Sequence, residues 1–500
     1  MTSRPNILLI TADQWRGDCL GAVGHPVVKT PNLDAFAETG TVFEKHYATT
    51  APCSPARASL YTGLYQMNHR VIWNGAPLDD RFDNIARTAR RAGYVPTLFG
   101  YTDTSPDPRV HDPNDPALST YEGVLPGFSV RQPLPEDDKP WRSWLATRGH
   151  DPASFDTLHH VEPEDGELVS RKAPRYSKDE TQTAFLTDSF FNWLGEQDAG
   201  KPWMAHISFL RPHPPITVPE PYNTMYDPDD GPEFKGAESA WQEAAFHPLV
   251  SALQEYQHLS SHIPGANGHV RDLTRHDLKR LRALYYGMIA EVDAQVGRIF
   301  STIDQIADDT LIIFTSDHAE MMGDHWMLGK GGFYKESYHI PLIIRGPGMA
   351  KDNRVSAFTS AADIFPTLLD ILELEPKHKP DGNSLASYLR GQTPTGWRDA
   401  ALYEFDFRRL LQFFPEDVRK SCQAGGASAL TRLGTEWQYV HFSGLPNLLL
   451  STNDETGGIK NKADSEPAAL IQNMDALLSS RMRHNDETLA RTMVWEYYTN

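Results

Sequence analysis

Residues able to carry chemistry recur just beyond the apolar runs of this 500-residue chain. Asp13 and Gln14 follow "NILLIT" (6–11), and Asp317 and His318 follow "TLIIFTS" (310–316). His213 follows "MAHISF" (204–209) inside "LRPHPP", and Tyr101, Thr102 and Asp103 follow "VPTLFG" (95–100). Two carboxylates and an imidazole brought together by buried strand ends would repel and be poorly solvated unless a cation joined them. A single divalent metal meets that need. Oxygen ligands alone suit Ca²⁺ or Mg²⁺, and an imidazole turns the choice toward Mn²⁺ or Zn²⁺. Either aspartate alone also fits a helix cap, and a lone histidine such as His213 fits a surface position. Lys330, between glycines in "MLGKGGFYKES", would be an anion contact if it lay beside such a metal.

Cys53 is one of three cysteines and lies in "TTAPCSPARASLYTG" (49–63). Ser54 is a good N-cap, Pro55 suits the first helical position, and Gly63 can end the helix. The cysteine then stands at a helix N-terminus, where unpaired N–H groups and the dipole favour an anion or a polarised oxygen. Arg57, one turn on, is expected to point back to the same place. A small buried core residue and a reactive centre are both consistent with that position.

The elements that must position these groups read as an α/β sheet covered on both faces. The apolar runs are continuous rather than alternating, as in buried parallel strands, and "IPLIIRG" (340–346) is a fifth. Between them lies a long helical pattern that begins at "LTRHDLKRLRALYYGMIAEVDAQVGRIF", opened by a capping pair, Thr274 and Asp277. Residues 105–180 and 220–270 are expected to be insertions over the sheet. After about residue 385 the segments shorten, predicting a catalytic domain over 1–385 and a small α+β subdomain over 386–500 that ends in a helix at "EPAALIQNMDALLSSRM".

A net charge of −19 argues against nucleic acid and anionic membranes as partners. No window approaches the ~18 apolar residues of a membrane span, and the N-terminal apolar run is too short for a signal peptide, so a cytoplasmic protein is expected. Three widely spaced cysteines do not make a disulfide framework.

Cys53-Ser-Pro-Ala-Arg57 resembles the C-x-P-x-R signature of the sulfatase branch of the alkaline phosphatase superfamily. Three cysteines, 37 prolines and 47 basic residues in 500 predict about 0.02 chance matches. "TSDHAEMMGDH", "PHPP" and "IPLIIRGPG" fall in family-like places. The variant pattern, with Gln14 and His318 where most sulfatases carry an acid and an Asn, and Tyr101 where they carry a Lys, is similar to the phosphonate monoester hydrolase and arylsulfatase subgroup. Asn74 in "VIWNG" matches that subgroup, and Asp103 stands where its phosphonate hydrolases carry a Thr.

The resemblance implies an alkaline phosphatase-like fold, a large mixed, mostly parallel sheet sandwiched by helices. It implies that a maturation enzyme converts Cys53 to formylglycine, and that position 53, Asp13, Asp317 and His318 hold one divalent metal (Mn²⁺, Ca²⁺ or Zn²⁺), with Gln14 beside it. The hydrated aldehyde would attack a small anionic ester. Arg57 and the metal would stabilise its oxygens, Lys330 and His213 would protonate the leaving group, and Asn74, Tyr101 and Asp103 would contact substrate. The expected activity is hydrolysis of sulfate monoesters, with phosphonate monoesters and phosphodiesters as further or principal substrates, in a homo-oligomer. An unmodified metal-binding protein, or one whose Cys53 acts as a thiol, is the reading from another class.

Overall fold

The computed structural model describes residues 4–198, 200–306, 309–453 and 461–462. Eight strands form the main sheet: β1 (Asn6–Ala12), β2 (Thr41–Tyr47), β3 (Pro96–Gly100), β4 (Ser129–Pro133), β5 (Met204–Phe209), β6 (Thr310–Thr315), β7 (Leu342–Arg345) and β8 (Asn353–Ser360). Their order is β4-β3-β5-β1-β6-β7-β2-β8. β1 pairs in parallel with both β5 and β6, and β3 pairs in parallel with β5. The carboxyl ends of β3, β5, β1 and β6 therefore lie side by side, and these are the four ends that carry the candidate residues.

The alternation along β1 explains why its sequence is apolar throughout. Leu8, Ile10 and Ala12 enter a core built with the helices Gln182–Leu194 and Arg275–Ile306. Ile7 and Leu9 enter a second core on the opposite face, built with the helices Cys53–Thr62, Ile85–Arg91 and Ile364–Leu372. Each such leucine or isoleucine is worth about 1.5–3 kcal/mol on burial, so a strand covered on both faces has no polar side. The long helix opens as expected: Thr274 Oγ1 accepts from Asp277 N (3.1 Å), and Asp277 Oδ2 accepts from Thr274 N (2.9 Å).

Three expectations change. The run "IPLIIRG" becomes β7, which is antiparallel to β6 and β2, because an apolar run encodes burial and not direction. The segment 105–180 is not wholly an insertion, since β4 extends the sheet edge beside β3. The helix at "CSPAR" begins at Cys53 with Pro52 as its cap residue, so Ser54 is inside the helix and not its N-cap.

A second, antiparallel sheet is formed by β9 (Ala401–Asp406), β10 (Ser428–Leu433), β11 (Trp437–Phe442) and β12 (Leu448–Ser451). It backs the loop that carries Lys330. Tyr403 Oη and Gln438 Nε2 donate to Phe333 O (2.9 and 2.6 Å), and Tyr338 stacks on Tyr403 with centroids 4.1 Å apart. The helix expected at 466–482 lies outside the described residues.

Candidate active site

Asp13 leaves β1 and Asp317 leaves β6, its neighbour, so the two carboxylates emerge together. One ligand atom each from Asp13, Cys53, Asp317 and His318 falls within 4.8 Å of the others, and all four residues are buried. The loops are tied to each other: Gln14 N donates to Asp317 Oδ1 (3.2 Å), and Trp15 N donates to Ser316 Oγ (3.0 Å). Gln14 is held at φ +67°, a left-handed conformation that costs a non-glycine residue about 1–3 kcal/mol and persists only where the surroundings over-determine it. Here Tyr285 Oη donates to its carbonyl (2.8 Å).

His318 Nδ1 faces the carbonyl of Ala319 at 3.2 Å. A carbonyl only accepts, so Nδ1 carries the proton and Nε2 turns a lone pair to Cys53 Sγ, 3.2 Å away. Burial lowers the His318 pKa, which keeps the ring neutral. Asp13 Oδ1 is buried without a hydrogen-bond partner among the described residues and lies 3.7 Å from the same Nε2. Two lone pairs, His318 Nε2 and Asp13 Oδ1, thus converge beside Cys53, whose single thiol proton can satisfy one of them and not both. Such a surplus of acceptors is the signature of a cation site, and the donor set fits a divalent metal.

Arg57 points back to the Cys53 cluster, as its position one turn on predicts, and its guanidinium is taken up there by protein partners. It is 0 % exposed and already committed: Nε donates to Asp317 Oδ2 (2.9 Å), and Nη2 to Asp13 Oδ2 (3.0 Å). Nη1 donates to Ser208 Oγ (2.8 Å) and Tyr101 O (3.3 Å). The Tyr101 ring lies under the guanidinium, 4.2 Å from its centre, and its hydroxyl donates to Asp13 Oδ2. Arg57 is thus the internal counter-charge of the two carboxylates. Burial works to raise the Asp13 pKa, and the positive field around it, in which Arg57 and Lys330 are permanent members, outweighs burial and holds it below the usual range. Gly100 makes this packing possible. At φ +103°, a Cβ there would lie 2.2 Å from Ser208 O, so only glycine lets the end of β3 press onto β5.

The cleft above is lined by Asp13, Cys53, Asn74, Tyr101, Asp103, His213 and Lys330, together with Tyr121, Glu122, Leu134, Glu136 and Leu210. Seven of the residues singled out by sequence line this cleft, and Gln14, Arg57, Asp317 and His318 lie behind it against Lys330, Asp13 and Cys53. Asn74 Oδ1 accepts from Ser54 N (3.0 Å), capping the helix from outside and leaving its NH₂ end as a donor. Lys330 Nζ donates to Gln14 Oε1 (2.6 Å). Burial lowers the Lys330 pKa and surrounding acidic groups more than offset this, so it is raised overall and the ammonium stays charged. His213 donates from Nδ1 to Pro214 O (2.7 Å), and burial pushes its pKa down to about 3. It is a neutral ring with a free Nε2 lone pair. Burial raises the Cys53 thiol, assisted by Asp13, well above its ordinary value, and raises Asp103 to about 8 against the opposing effect of Arg57.

Ser208, Glu320 and the lining residues Tyr121, Glu122, Leu134, Glu136 and Leu210 were not foreseen. Ser208 carries one signal in sequence, a hydroxyl near the end of the buried run "MAHISF", and Glu320 one, an acid within "SDHAEMM".

The sulfatase family model matches residues 5–374. The multifunctional alkaline phosphatase superfamily protein PehA of Trinickia caryophylli is 37% identical, over 97% of each chain. An arylsulfatase of Clostridium perfringens is 30% identical over 418 residues, 81% of this chain and 82% of that protein. The crystal structure of a phosphonate monoester hydrolase of Agrobacterium radiobacter is 55% identical, with a TM-score of 0.90 over 98% of each chain.

Proposed function

This chain belongs to the sulfatase family, and from that premise we propose that it hydrolyses singly charged esters of tetrahedral oxyacids, sulfate monoesters and phosphonate monoesters at one site, with phosphodiesters as a further class. The observation that carries this is the buried Asp13, Cys53, Asp317 and His318 cluster facing a cleft to which Lys330 brings, among the described residues, one ammonium. One metal and one ammonium suit an ester with one negative charge. The 55% identity to a phosphonate monoester hydrolase supports phosphonate monoesters as a principal substrate. With one leaving group held constant, kcat/KM for a sulfate monoester, a phosphonate monoester and a phosphodiester tests the reading. All three are expected to turn over, the phosphonate monoester well above the phosphodiester; no turnover of either monoester would refute it.

In this reading Cys53 is converted to formylglycine by a maturation enzyme, and its hydrated aldehyde supplies the nucleophile. The Cys53-Ser-Pro-Ala-Arg57 motif inside the sulfatase match supports the conversion. A divalent metal held by Asp13, Asp317, His318 and position 53, with Mn²⁺, Ca²⁺ and Zn²⁺ as candidates, would supply the charge that activates a nucleophile at neutral pH. Tyr101 and Arg57 occupy Asp13 Oδ2 and so leave Oδ1 for that metal. Lys330 protonates the departing oxygen. His213 is neutral with Nε2 unprotonated in the free protein, so there it can accept a hydrogen bond, and Lys330 is the donor this reading takes forward. Cytoplasmic residence and assembly into a homo-oligomer complete the proposal; no helix among the described residues is long and apolar enough to cross a membrane.

Asp103 gives the site a pH limit. With its pKa at about 8, it is protonated at neutral pH and can donate to an ester oxygen. Above that pH it adds a negative charge facing an anionic substrate. The kcat/KM is expected to fall about tenfold per pH unit above pH 8 as the protonated fraction falls, and Asp103→Asn to flatten that limb. A wild-type profile level to pH 10, or an unchanged limb in the variant, would remove Asp103 from this role.

A further inference from the structure

Glu320 is a buried acid that the proposed chemistry leaves without a task. It is 1 % exposed, and its contacts come from donors. Oε1 accepts from Met322 N (2.9 Å) and from Gly329 N, and Oε2 accepts from the Gln14 side-chain NH₂. An amide can sit in two orientations that differ little in shape, and its neighbours decide between them. With the NH₂ turned to Glu320, the Gln14 oxygen faces the other way, where it accepts from Lys330 Nζ at 2.6 Å. The flipped amide would set its NH₂ against an ammonium and its oxygen against a carboxylate, two repulsive contacts in place of two attractive ones. Glu320 also holds the N–H of Gly329, the residue before Lys330. One carboxylate thereby reaches the lysine from two directions, at its head through Gln14 and at its backbone through Gly329.

We propose that Glu320 is a positioning residue which, through the Gln14 amide and the Gly329 N–H, holds the Lys330 ammonium at the departing oxygen of the ester. The inference rests on the reading in which Lys330 protonates the leaving group. A lysine has four rotatable side-chain bonds, and proton transfer needs its nitrogen within hydrogen-bond reach of the oxygen that departs. A nitrophenolate leaves without that proton, whereas an alkoxide needs it. Loss of positioning is therefore selective for poor leaving groups, while a general loosening of the site is not.

The test uses metal-loaded, matured enzyme and two esters of the same oxyacid, one with a nitrophenol and one with an alkyl alcohol as leaving group. Glu320→Gln is expected to lower kcat/KM about 30-fold for the alkyl ester and less than about threefold for the nitrophenyl ester. Bound metal per chain is expected to stay unchanged. In a Lys330→Ala background the same change is expected to cost less than about twofold further, since the two residues act as one unit. Equal losses on both esters, or the full loss repeated in the Lys330→Ala background, would overturn the positioning role. Should Glu320→Gln fail to fold, Gln14→Leu cuts the same link. A loss selective for the alkyl ester then supports the proposal, and a uniform loss overturns it. Lys330→Ala alone separates the two levels: if it shows no leaving-group dependence, the Lys330 reading falls, and the positioning role falls with it.

Discussion

Cys53→Ala protein is expected to fold, to bind a divalent metal more weakly, and to lose turnover by on the order of 10⁴–10⁶-fold, the range for removing a nucleophile. The fold should survive because the side chain removed is small. The helix it opens keeps its outside cap from Asn74 and its glycine stop at Gly63, whose φ is +71°. The metal should weaken because one of four converging ligands is lost. Cys53→Ser sharpens the test. A serine hydroxyl can attack the ester, but it has no second hydroxyl to expel the bound acid, so a single turnover with a covalent adduct on the peptide spanning residue 53 is expected. The mass of the same peptide in wild-type protein distinguishes aldehyde from thiol. A wild-type peptide that carries only thiol in fully active enzyme, or alanine protein that keeps turning over, would end the formylglycine reading.

Much of this site was legible because the physics of a doubly covered parallel sheet is written in local sequence. "NILLIT" and "TLIIFT" are apolar on both alternating faces, and that pattern leaves polar chemistry only at their ends. Asp13 and Asp317 follow directly. What was not legible needed information a short window does not hold. β2, "TVFEKHY", is interrupted by Glu44 and Lys45, and the edge strand β4, "SVRQP", is largely exposed, so neither reads as buried. The reversed direction of β7 is set by its pairing with β6 and β2. The commitments of Arg57 depend on two carboxylates 44 and 260 residues away. At the helix start, Pro52, Ser54 and Pro55 each carry a start signal within four positions, and the tertiary contact from Asn74, 20 residues on, supplies the outside acceptor that Ser54 was expected to provide. Where propensity and long-range contacts compete, the contacts decide.

The largest stability effect should come from Arg57, and it should depend on metal. Its guanidinium is the counter-charge of Asp13 and Asp317, with side chains 0 %, 1 % and 0 % exposed. Removing one member of a buried ion group leaves the others uncompensated, at a cost of about 3–5 kcal/mol. Arg57→Met keeps much of the volume and discards the charge, so in chelator this variant is expected to lose about that much stability. A divalent cation at the same carboxylates restores positive charge, and binding the folded state alone adds stability by mass action. With saturating metal the deficit should shrink to about half or less, while activity stays low because the hydrogen bonds to Ser208 and Tyr101 are gone. Arg57→Lys keeps a charge without the planar fork and should fall between the two in chelator. Thermal unfolding of wild type and both variants, each with and without metal, makes the comparison. An Arg57→Met deficit of equal size in chelator and in metal would show that Arg57 and the metal do not share the two carboxylates, and that the guanidinium stabilises the fold by packing on Tyr101 instead.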